Sequence, residues 1–580
     1  MPYWISLSIL PNTEWVYQYT GTGPNPANMD PKKLDKYLYI RKSPVWLISG
    51  IHALGLLAWC LVLYGYKNAV IYDPFYRYAI APILIIFSAY YFLSYGINVF
   101  FYRQHDLKKH KLCVDDFLKT NNEPSVDVFL PICGESMALL EHTWKNVSEL
   151  NYTNKKVYVL DDSRTELEEH QNMAKKYGFN YISRPDKGWM KKAGNLRYAF
   201  ERTDGMFIAI FDADFAPHPE FLNELLPYMD NKREKVGIVQ SPQYFEMTKK
   251  VHKRSPLEYG AGYVQEAFYR YIQVARNYFR GSICCGSNAI YRREALNAIG
   301  GPVLIEHSED AITGFTLTDA GWSVLYVPII LAVGVCPDDA HAYFHQQHRW
   351  CTGSMTLLLK KQFWQSKISW TTKGCYFIGF LFYICNPFSI LFSFQLFYSL
   401  FVYNQYISLA NGMLFYPYLI WTLGLMLLLP IYRFRWGSFR ATFLQLYAYS
   451  HAVFSIFLRS TVGWIPTNTK YAGVSTAFKQ ATTAVYIYTL TYVALAALAF
   501  RKGMIHLLNY NYYSVQFWIF YNIFFSLLLL WYMYTVMKEA HQRQVANATS
   551  SAKSFVKWQL AIGGGYALLL ISVFLGIIFL

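Results

Sequence analysis

Two short acidic clusters directly follow apolar runs in this 580-residue sequence. Asp161 and Asp162 follow the run Lys156-Val-Tyr-Val-Leu160. Asp212 and Asp214 follow the run Met206-Phe-Ile-Ala-Ile-Phe211. Carboxylates spaced like Asp212 and Asp214 can share one side of an extended turn and bind Mg²⁺ or Mn²⁺, which also takes diphosphate oxygens. Asp161 and Asp162 can accept hydrogen bonds from a nucleotide base or ribose, or cap a helix instead. We therefore expect a nucleoside diphosphate and a metal ion here.

Two further clusters bring a cation and an acid. Lys192 opens the segment Lys-Ala-Gly-Asn, where an ammonium group can contact phosphate. The alternative for this lysine is a solvated surface charge. Glu309 and Asp310 follow Ser308 at the start of helical sequence. A carboxylate there can act as a general base that takes a proton from a sugar hydroxyl, or it can merely cap the helix.

The segment Gln346-Gln-His-Arg349-Trp350 is the sharpest local signal. Gln346, Arg349 and Trp350 are three and four residues apart, so on a helix they share one face. The planar guanidinium of Arg349 can bind diphosphate oxygens, and the ring of Trp350 can pack on the C–H face of a sugar. A membrane-interface aromatic with a basic neighbour is the alternative interpretation.

The clusters require a scaffold that gathers strand ends. Apolar runs at 126–131, 156–160 and 206–211 alternate with helical patterns, which predicts a mostly parallel sheet covered by helices on both faces. Ligands bind at the carboxyl ends of the strands in such sheets. Both acidic clusters lie at these ends, so we expect them to meet.

Composition points to a membrane protein. Hydrophobic residues make up 54% of the chain, and seven runs with almost no charge are each long enough to cross a bilayer: 45–66, 78–101, 375–402, 413–431, 482–500, 515–536 and 558–580. The net charge of +16 comes largely from basic residues beside these runs, so we do not expect nucleic-acid binding. Nine cysteines without a metal-ligand spacing argue against a disulfide framework and against zinc. The polar N-terminus does not resemble a cleavable signal peptide.

The charge pattern predicts the topology and the domains. Basic residues lie in the segment before the first run and in the segment after the fourth. We therefore expect both of these segments in the cytoplasm. We expect a cytosolic segment at 1–44, two spans within 45–102, a cytosolic domain at 103–373 with interfacial helices at its end, and a channel region at 374–580. Residues 441–462 are predicted as an interfacial helix, with a further span as the alternative. A possible gating loop follows at 464–481.

The ordered series of clusters resembles the processive family 2 glycosyltransferases, especially the cellulose synthase catalytic subunit and related β-glucan synthases. The resemblance covers residues 126–353, and it implies an α/β GT-A glycosyltransferase domain inserted in an α-helical, polytopic membrane domain. It also implies a UDP-sugar donor, a divalent metal (Mg²⁺ or Mn²⁺), inversion at the anomeric carbon, and extrusion of the polymer through a channel. The lipid bilayer and a nascent polysaccharide acceptor are then partners.

The family motifs imply roles for individual residues. On the donor side, Asp161 or Asp162 resembles the uridine-contacting aspartate, Lys192 the diphosphate-contacting lysine, and Asp212 and Asp214 the metal-binding DxD motif. Asp310 matches the base of the TED motif, with Glu309 beside it. The QxxRW motif is matched by Gln346 and Arg349 for the donor and by Trp350 for the acceptor. The segment beside the acceptor sugar is matched by Cys285, Gly286 and Ser287, and the QTP segment by residues 240–242.

Three departures affect the acceptor side. Ser308 replaces the threonine of TED, Ser241 that of QTP, and Cys284 a phenylalanine. The FxVT gating sequence is absent, and no cyclic-di-GMP-binding module is expected after the last predicted span.

UDP-glucose is the expected donor and the plasma membrane the expected location. Three alternatives stay open: a chitin or hyaluronan-type synthase using UDP-N-acetylglucosamine, a non-processive transferase acting on a lipid carrier, and a transporter or scaffold with an inactive transferase-like domain. The linkage, the oligomeric state and the accessory subunits stay undetermined.

Overall fold

The structure is a computed structural model that describes most of the predicted cytosolic section and part of the predicted membrane region. The described residues are 30–41, 45–101, 106–120, 123–230, 234–245, 256–337, 340–395, 397, 398, 414, 417, 418, 421, 436–458 and 475–507. The predicted spans at 515–536 and 558–580, and nearly all of the one at 413–431, lie outside the described residues.

Ten strands form two sheets within the described part of the chain. A seven-stranded sheet has the order β3-β2-β1-β4-β8-β6-β9, and a three-stranded sheet has the order β5-β10-β7. In chain order the strands are β1 Val126–Ile132, β2 Lys155–Asp161, β3 Asn180–Ser183, β4 Phe207–Ile210, β5 Phe215–Pro217, β6 Val236–Gln240, β7 Tyr244–Phe245, β8 Ala289–Arg292, β9 Ser323–Tyr326 and β10 Ala332–Gly334.

The large sheet is mixed but mostly parallel. Strands β3, β2, β1 and β4 run parallel to one another, and β6 runs parallel to β9, whereas β8 is antiparallel to both β4 and β6. In the register, Ile132 of β1 pairs with Asp161 of β2, and Phe129 of β1 pairs with Ile210 of β4. The carboxyl ends of β2, β1 and β4 therefore lie along one edge, as the sequence predicted.

Both faces of the large sheet are covered. All seven residues of β1 are buried. Val126, Val128 and Leu130 face one apolar core, and Phe129 faces the other. This alternation follows from the two-residue period of a strand, and continuous burial is expected where helices cover both faces. The predicted α/β architecture is confirmed.

Helices surround the two sheets and lead into long apolar helices. Up to the end of the large sheet they are α1 Leu38–Arg41, α2 Val45–Tyr72, α3 Ala81–Phe101, α4 Leu107–Lys119, α5 Met137–Ser148, α6 Leu167–Lys176, α7 Lys191–Phe200, α8 Phe221–Leu225, α9 Pro256–Ala267, α10 Gln273–Tyr278, α11 Arg293–Ala298 and α12 Glu309–Asp319. Those that follow are α13 Ala340–Leu359, α14 Lys361–Gln365, α15 Trp370–Ser393, α16 Trp436–Phe457 and α17 Thr476–Leu507. Short 3₁₀ turns cover Pro31–Lys33 and Leu226–Asp230, and π-helical turns cover Tyr76–Ile80 and Phe268–Ile272.

Four helices in the described residues are long and apolar enough to cross a membrane: Ser49–Tyr72, Tyr76–Asn98, Trp370–Ser393 and Thr476–Leu498. They coincide with four of the seven predicted runs, at 45–66, 78–101, 375–402 and 482–500. They lie on either side of the α/β section in the sequence. That section is thus inserted between helices of membrane-spanning length and composition.

The predicted gating loop needs a correction. Residues 464–474 lie outside the described residues, but residues 476–481 are helical because α17 begins at Thr476. Ser475 caps this helix by accepting a hydrogen bond from the Phe478 N–H at 3.1 Å. The predicted interfacial helix at 441–462 corresponds to α16, which begins five residues earlier, at Trp436. Its position relative to a bilayer stays a prediction.

Candidate active site

Asp161, at the end of β2, is fully buried and saturated with hydrogen bonds. Its carboxylate accepts from the Ser163 N–H at 2.7 Å, from the Tyr181 hydroxyl at 2.7 Å and from His170 Nδ1 at 2.9 Å. Burial raises the pKa of Asp161, but these hydrogen bonds outweigh it and lower the pKa below its usual value. The side chain therefore fixes the loop after β2. A contact between Asp161 and a nucleotide stays a prediction.

Asp162 is bound to an arginine that the sequence analysis did not identify. Arg184, directly after β3, donates from Nε at 2.8 Å and from Nη2 at 2.7 Å to the two carboxylate oxygens. Both side chains are buried, and the Gly188 N–H adds a third donor at 3.1 Å. A bidentate pair of this kind sets geometry firmly. Asp162 thus orders the segment that leads to Lys192.

Lys192 is where the predicted clusters meet. It lies in the first turn of α7, and its ammonium group donates to Asp212 and, at 3.1 Å, to the Gly286 carbonyl. Glu309 Oε1 lies 3.9 Å away. Burial lowers the pKa of Lys192, but the carboxylates of Asp212, Glu309 and Asp310 more than offset this and raise it. One cation thus links the segments after β4, before β8 and at the start of α12.

Asp214 and Glu135 form an acidic pocket beside Asp212. Glu135 lies in the turn after β1 and accepts a hydrogen bond from the Cys133 N–H at 2.6 Å. Loss of hydration and the charges of Asp212 and Glu135 raise the pKa of Asp214 to about 7. Loss of hydration, with Asp212 and Asp161 nearby, raises the pKa of Glu135 to about 7. A cation would relieve the repulsion between carboxylates crowded in this way.

The carboxylate oxygens of Asp212 and Asp214 suit a hard divalent cation, because such ions bind carboxylate oxygens. No cluster of three or more His, Cys, Asp or Glu side chains that could hold a metal ion is found among the described residues. An ion here would complete its coordination with oxygens from outside the chain, such as those of a diphosphate.

Asp310 lies in the first turn of α12 and packs directly on Gly286. Gly286 has φ +74°, and a Cβ there would come within 2.7 Å of Asp310 Oδ2, so glycine is required on both counts. Loss of hydration and the neighbouring Glu309 raise the pKa of Asp310 to about 7, although Lys192 opposes this shift. The carboxyl group can therefore change protonation state near neutral pH, which suits a general base.

The segment Cys285 to Ser287 is held by Gln240, at the end of β6. Gln240 is fully buried; its amide group donates to the Ser287 carbonyl at 2.9 Å, and its oxygen accepts from the Cys285 N–H at 2.9 Å. The Ser287 hydroxyl in turn accepts from the Asp212 N–H at 2.9 Å. The segment predicted to border the acceptor is thus hydrogen-bonded to the segment predicted to bind the metal.

The helix α13 carries Gln346, Arg349 and Trp350 on one face, as predicted, and all three side chains are half-buried. Burial lowers the pKa of Arg349, while Glu309, Asp212, Asp214 and Asp310 raise it, which puts the guanidinium in the field of all four carboxylates. Gln347, between them in the sequence, instead accepts hydrogen bonds from Tyr449 at 2.6 Å and from Gln445 at 3.1 Å, both on α16.

Gly353 of α13 is where the loop before α12 touches this helix. A Cβ at Gly353 would overlap the side chain of Ser308, so only glycine allows the contact. Ser308 has φ +54°, in the left-handed region, and forms no side-chain cap of α12. The contact packs the helix that carries Arg349 against the start of α12.

Residues 127–300 match the model of the family described as Glycosyl transferase family 2. This segment contains β1 through α11, and therefore the turn with Glu135, both strand-end acidic clusters, Lys192 and the segment 285–287. Residues 127–300, called the family 2 domain below, are thus similar to family 2 glycosyltransferase domains. Its mixed sheet with helices on both faces is GT-A-like, which confirms the predicted fold class.

The chain is similar to curated cellulose synthase catalytic subunits. It is 32% identical over 265 residues to the cellulose synthase catalytic subunit [UDP-forming] of Pseudomonas fluorescens, covering 45% of this chain and 35% of the relative. It is 27% identical over 366 residues to cellulose synthase 1 of Komagataeibacter xylinus, covering 61% of this chain and 23% of the relative. The chain thus spans about a third or less of these relatives. The predicted resemblance to cellulose-synthase-like family 2 proteins is confirmed.

Among solved structures, the chain is similar to the mannosyltransferase PcManGT from Pyrobaculum calidifontis in complex with GDP-Man and Mn²⁺. The sequences are 17% identical, the TM-score is 0.46, and the match covers 66% of this chain and 99% of the other. A TM-score at this level does not establish a common fold. The assignment of the family 2 domain rests on the family match and on the sheet itself.

Within the family 2 domain, sequence reasoning missed Glu135, Arg184 and His170. Glu135 lies three residues after β1 and Arg184 directly follows β3, so the strand-end rule applied to the acidic clusters would also have identified them as site residues. His170 lies in the middle of α6 and has no such signal. The roles predicted for Cys285, Gly286 and Ser287, for Gln346 and Trp350, and for each donor and metal residue stay predictions.

Proposed function

We propose that this chain is a membrane-embedded, processive polysaccharide synthase that transfers sugars from a UDP-sugar, with UDP-glucose as first candidate, to a growing β-glucan with inversion. The observation that carries the proposal is the convergence on Lys192 of Asp212, Gly286 and Glu309, from three separately predicted clusters. The similarity to UDP-forming cellulose synthase subunits supports the choice of donor.

The donor site is assigned from charge. Lys192 and Arg349 are the cations beside the carboxylates, and both suit the diphosphate of the donor. A Mg²⁺ or Mn²⁺ ion on Asp212 and Asp214 would neutralise charge that develops on the departing diphosphate. Asp161 and Asp162 keep the loop beside this site in place, and Gln346 lies on the same helix face as Arg349.

The acceptor site is assigned from geometry around Asp310. The acceptor sugar packs on Trp350 and on the segment Cys285 to Ser287, with a hydroxyl next to Asp310. Asp310 takes the hydroxyl proton while the oxygen attacks the anomeric carbon from the side opposite the diphosphate. The new glycosidic bond forms as the bond to the diphosphate breaks, and UDP leaves with that electron pair. Glu309 stays next to Lys192 and orients it.

The membrane assignment rests on the length of the flanking helices and on the basic residues beside them. Helices of spanning length flank the family 2 domain, and the basic residues beside them favour a cytoplasmic position for that domain. We assign the protein to the plasma membrane as a multi-pass protein, with a channel in the region after residue 374 through which the polymer leaves.

The test is incorporation of radiolabel from UDP-glucose into high-molecular-weight product by the purified protein with Mn²⁺ or Mg²⁺. The product is then digested with linkage-specific β-glucanases. We expect polymer from the unchanged protein and about 10²- to 10⁴-fold less from Asp310→Asn. Label incorporated only from UDP-N-acetylglucosamine would replace the donor and keep the mechanism. Label found only in a lipid-extractable monosaccharide adduct would overturn processive synthesis.

A further inference from the structure

His348 of α13 and His451 of α16 face each other through their ring nitrogens. His348 Nε2 lies 3.2 Å from His451 Nδ1. The side chain of His348 is buried, and that of His451 is half-buried. Two imidazole nitrogens in this arrangement can form a hydrogen bond, or both can bind one metal ion through their lone pairs. The surroundings of the pair support the second use.

The separation of the two nitrogens matches the spacing of two ligands on one ion. Zn²⁺ binds imidazole nitrogen at about 2.0 to 2.1 Å in tetrahedral geometry, which places two such nitrogens about 3.3 to 3.4 Å apart. His348 Nε2 and His451 Nδ1 are 3.2 Å apart. A shift of about 0.2 Å would therefore let both nitrogens bind the same ion.

The other ring nitrogen of each histidine already has an oxygen beside it. His451 Nε2 lies 3.1 Å from Gln480 Oε1 on α17, so its N–H can donate there and leave a lone pair on Nδ1. His348 Nδ1 lies 3.4 Å from the hydroxyl oxygen of Thr352. Thr352 donates its own hydroxyl proton to the His348 carbonyl at 2.9 Å, so the hydroxyl oxygen can accept from Nδ1–H. Metal-binding histidines usually have such an acceptor, because it fixes the tautomer of the ring.

His348 is in the form that binds metal ions. Burial, together with the neighbouring His451 and His307, lowers the pKa of His348 to about 3. The ring is therefore neutral at neutral pH, and no proton has to leave before a metal ion binds. Phe344, one turn earlier on α13 and fully buried, packs against both rings, with its centroid 5.7 Å from that of His348 and 6.0 Å from that of His451. This packing limits the movement of both imidazoles.

Water would complete the coordination of an ion at this pair. No third His, Cys, Asp or Glu side chain completes a set of three within the described residues. The Ser455 hydroxyl, one turn after His451 on α16, lies 3.2 Å from His451 Nδ1 and can form a hydrogen bond to a water on the ion. Because the two protein ligands are nitrogens, the pair suits Zn²⁺ and similar ions rather than Mg²⁺.

We propose that His348 and His451 form a binding site for one ion of the Zn²⁺ type between α13 and α16. The ion ties the helix that carries Arg349 to α16. The site is separate from the one proposed at Asp212 and Asp214, whose ligands are oxygens. The inference does not rest on the proposed function, since it concerns the binding of a metal ion alone.

A titration with Zn²⁺, followed by thermal unfolding, tests the proposal. The whole chain is purified without a polyhistidine tag and kept in a large excess of Mg²⁺, so that carboxylate sites are filled by Mg²⁺. We expect the melting temperature of the unchanged protein to rise with the logarithm of the Zn²⁺ concentration, because the ion binds the folded state. His348→Gln and His451→Gln should each abolish this rise.

His345→Gln is the matched control. His345 lies on the same helix and is also buried, but its Nε2 lies 2.7 Å from the Ser475 hydroxyl. This variant should keep the rise in melting temperature. Thr352→Val removes the acceptor for His348 Nδ1–H and should lower the affinity for Zn²⁺ about tenfold.

The outcomes separate a metal site from a hydrogen-bonded pair. A melting temperature of the unchanged protein that does not respond to Zn²⁺ would overturn the inference and leave the two histidines as a hydrogen bond. A rise of equal size in His348→Gln and His451→Gln would place the ion elsewhere and overturn it as well. An affinity for Zn²⁺ that is unchanged in Thr352→Val would contradict the orientation of His348 on which the site depends. No sugar is present in this experiment, so a failure of the proposed function would leave these outcomes as they are.

Discussion

Two acidic pairs follow neighbouring parallel strands and yet differ in their electrostatic surroundings. Asp161 and Asp162, after β2, receive hydrogen bonds from His170, Tyr181 and Arg184 among others. Asp212 and Asp214, after β4, lie beside Glu135 in an acidic pocket, with Lys192 as the cation bonded to Asp212. The hydrogen bonds keep the pKa of Asp161 low against the effect of burial, whereas loss of hydration and repulsion raise the pKa of Asp214 to about 7.

The difference separates a structural role from a role in binding a ligand. Carboxylates that already have their donors stabilise the loop that contains them, and a ligand would have to displace those donors. Carboxylates that crowd without enough positive charge are stabilised when a cation arrives. We infer that the residues after β2 position the site, and that those after β4, with the acidic pair of α12, perform the chemistry.

The largest effect is expected from Asp310→Asn. Without the base, sugar transfer should fall about 10²- to 10⁴-fold. The melting temperature should not fall, because an amide replaces a carboxyl group whose pKa is already raised to about 7 by loss of hydration and by Glu309. Radiolabel incorporation and thermal unfolding measure the two effects. More than a tenth of the activity left in this variant would show that another group acts as the base.

Asp214→Asn should affect the metal requirement next. We expect activity to fall about a hundredfold at a fixed Mn²⁺ concentration, because the negative charge and one of the two carboxylate oxygens are lost. Added Mn²⁺ should recover part of it, as measured by a titration of activity against metal concentration. Asp204→Asn is the control. The Asp204 side chain is 82% exposed and pairs with Lys156 outside this pocket. An unchanged metal titration in Asp214→Asn would contradict the metal assignment.

Arg184→Met tests the other side of the comparison. The variant leaves the buried carboxylate of Asp162 without its bidentate partner, so unfolding should become easier by about 3 to 5 kcal/mol. The double variant with Asp162→Asn should regain part of this stability, because the unpaired charge is gone. Thermal unfolding of both variants measures the effect. If Arg184→Met unfolds like the unchanged protein yet cannot bind UDP, the pair belongs to the binding site after all.

The pH dependence of transfer should report the group on α12. Asp310 must be ionised to accept a proton, and its pKa is raised to about 7 by loss of hydration and by Glu309. The rate should therefore fall as the pH falls through 7, by about tenfold per pH unit. Measurements at saturating Mn²⁺ separate this effect from protonation of Asp214 and Glu135, which compete with the metal. The residual activity of Asp310→Asn should lack this acid limb, and an identical limb in that variant would assign it to a different group.

Much of this arrangement follows from local sequence, and the rest depends on distant contacts. The apolar runs before Asp161 and Asp212 placed both pairs at strand ends, and the spacing of Gln346, Arg349 and Trp350 placed them on one helix face. The pairing of Arg184 with Asp162 could not be predicted from local sequence, because Arg184 reaches Asp162 only when β3 pairs with β2. The contact of Ser308 with Gly353 likewise appears only when α12 and α13 pack together.

The smallest effect is expected from variants of the contact that orients Arg349 toward the carboxylates. A different face of α13 carries His341, His345 and His348, three and four residues apart. His345 Nε2 lies 2.7 Å from the Ser475 hydroxyl, and the Ser475 N–H donates to His341 Nε2 at 3.2 Å. The start of α17 thus fixes the rotation of the helix that carries Arg349.

His345→Ala and Ser475→Ala should each raise the KM for the UDP-sugar about fivefold, the loss expected for one hydrogen bond of about 1 kcal/mol. The double variant should be no worse than Ser475→Ala alone, because Ser475→Ala already removes the contact with His345, together with the cap of α17. His142→Ala, a half-buried histidine on α5, is the control and should leave the KM unchanged. Additive effects in the double variant would mean that α13 is positioned without this contact, and that the orientation of Arg349 toward the acidic pocket comes from the packing of Ser308 on Gly353.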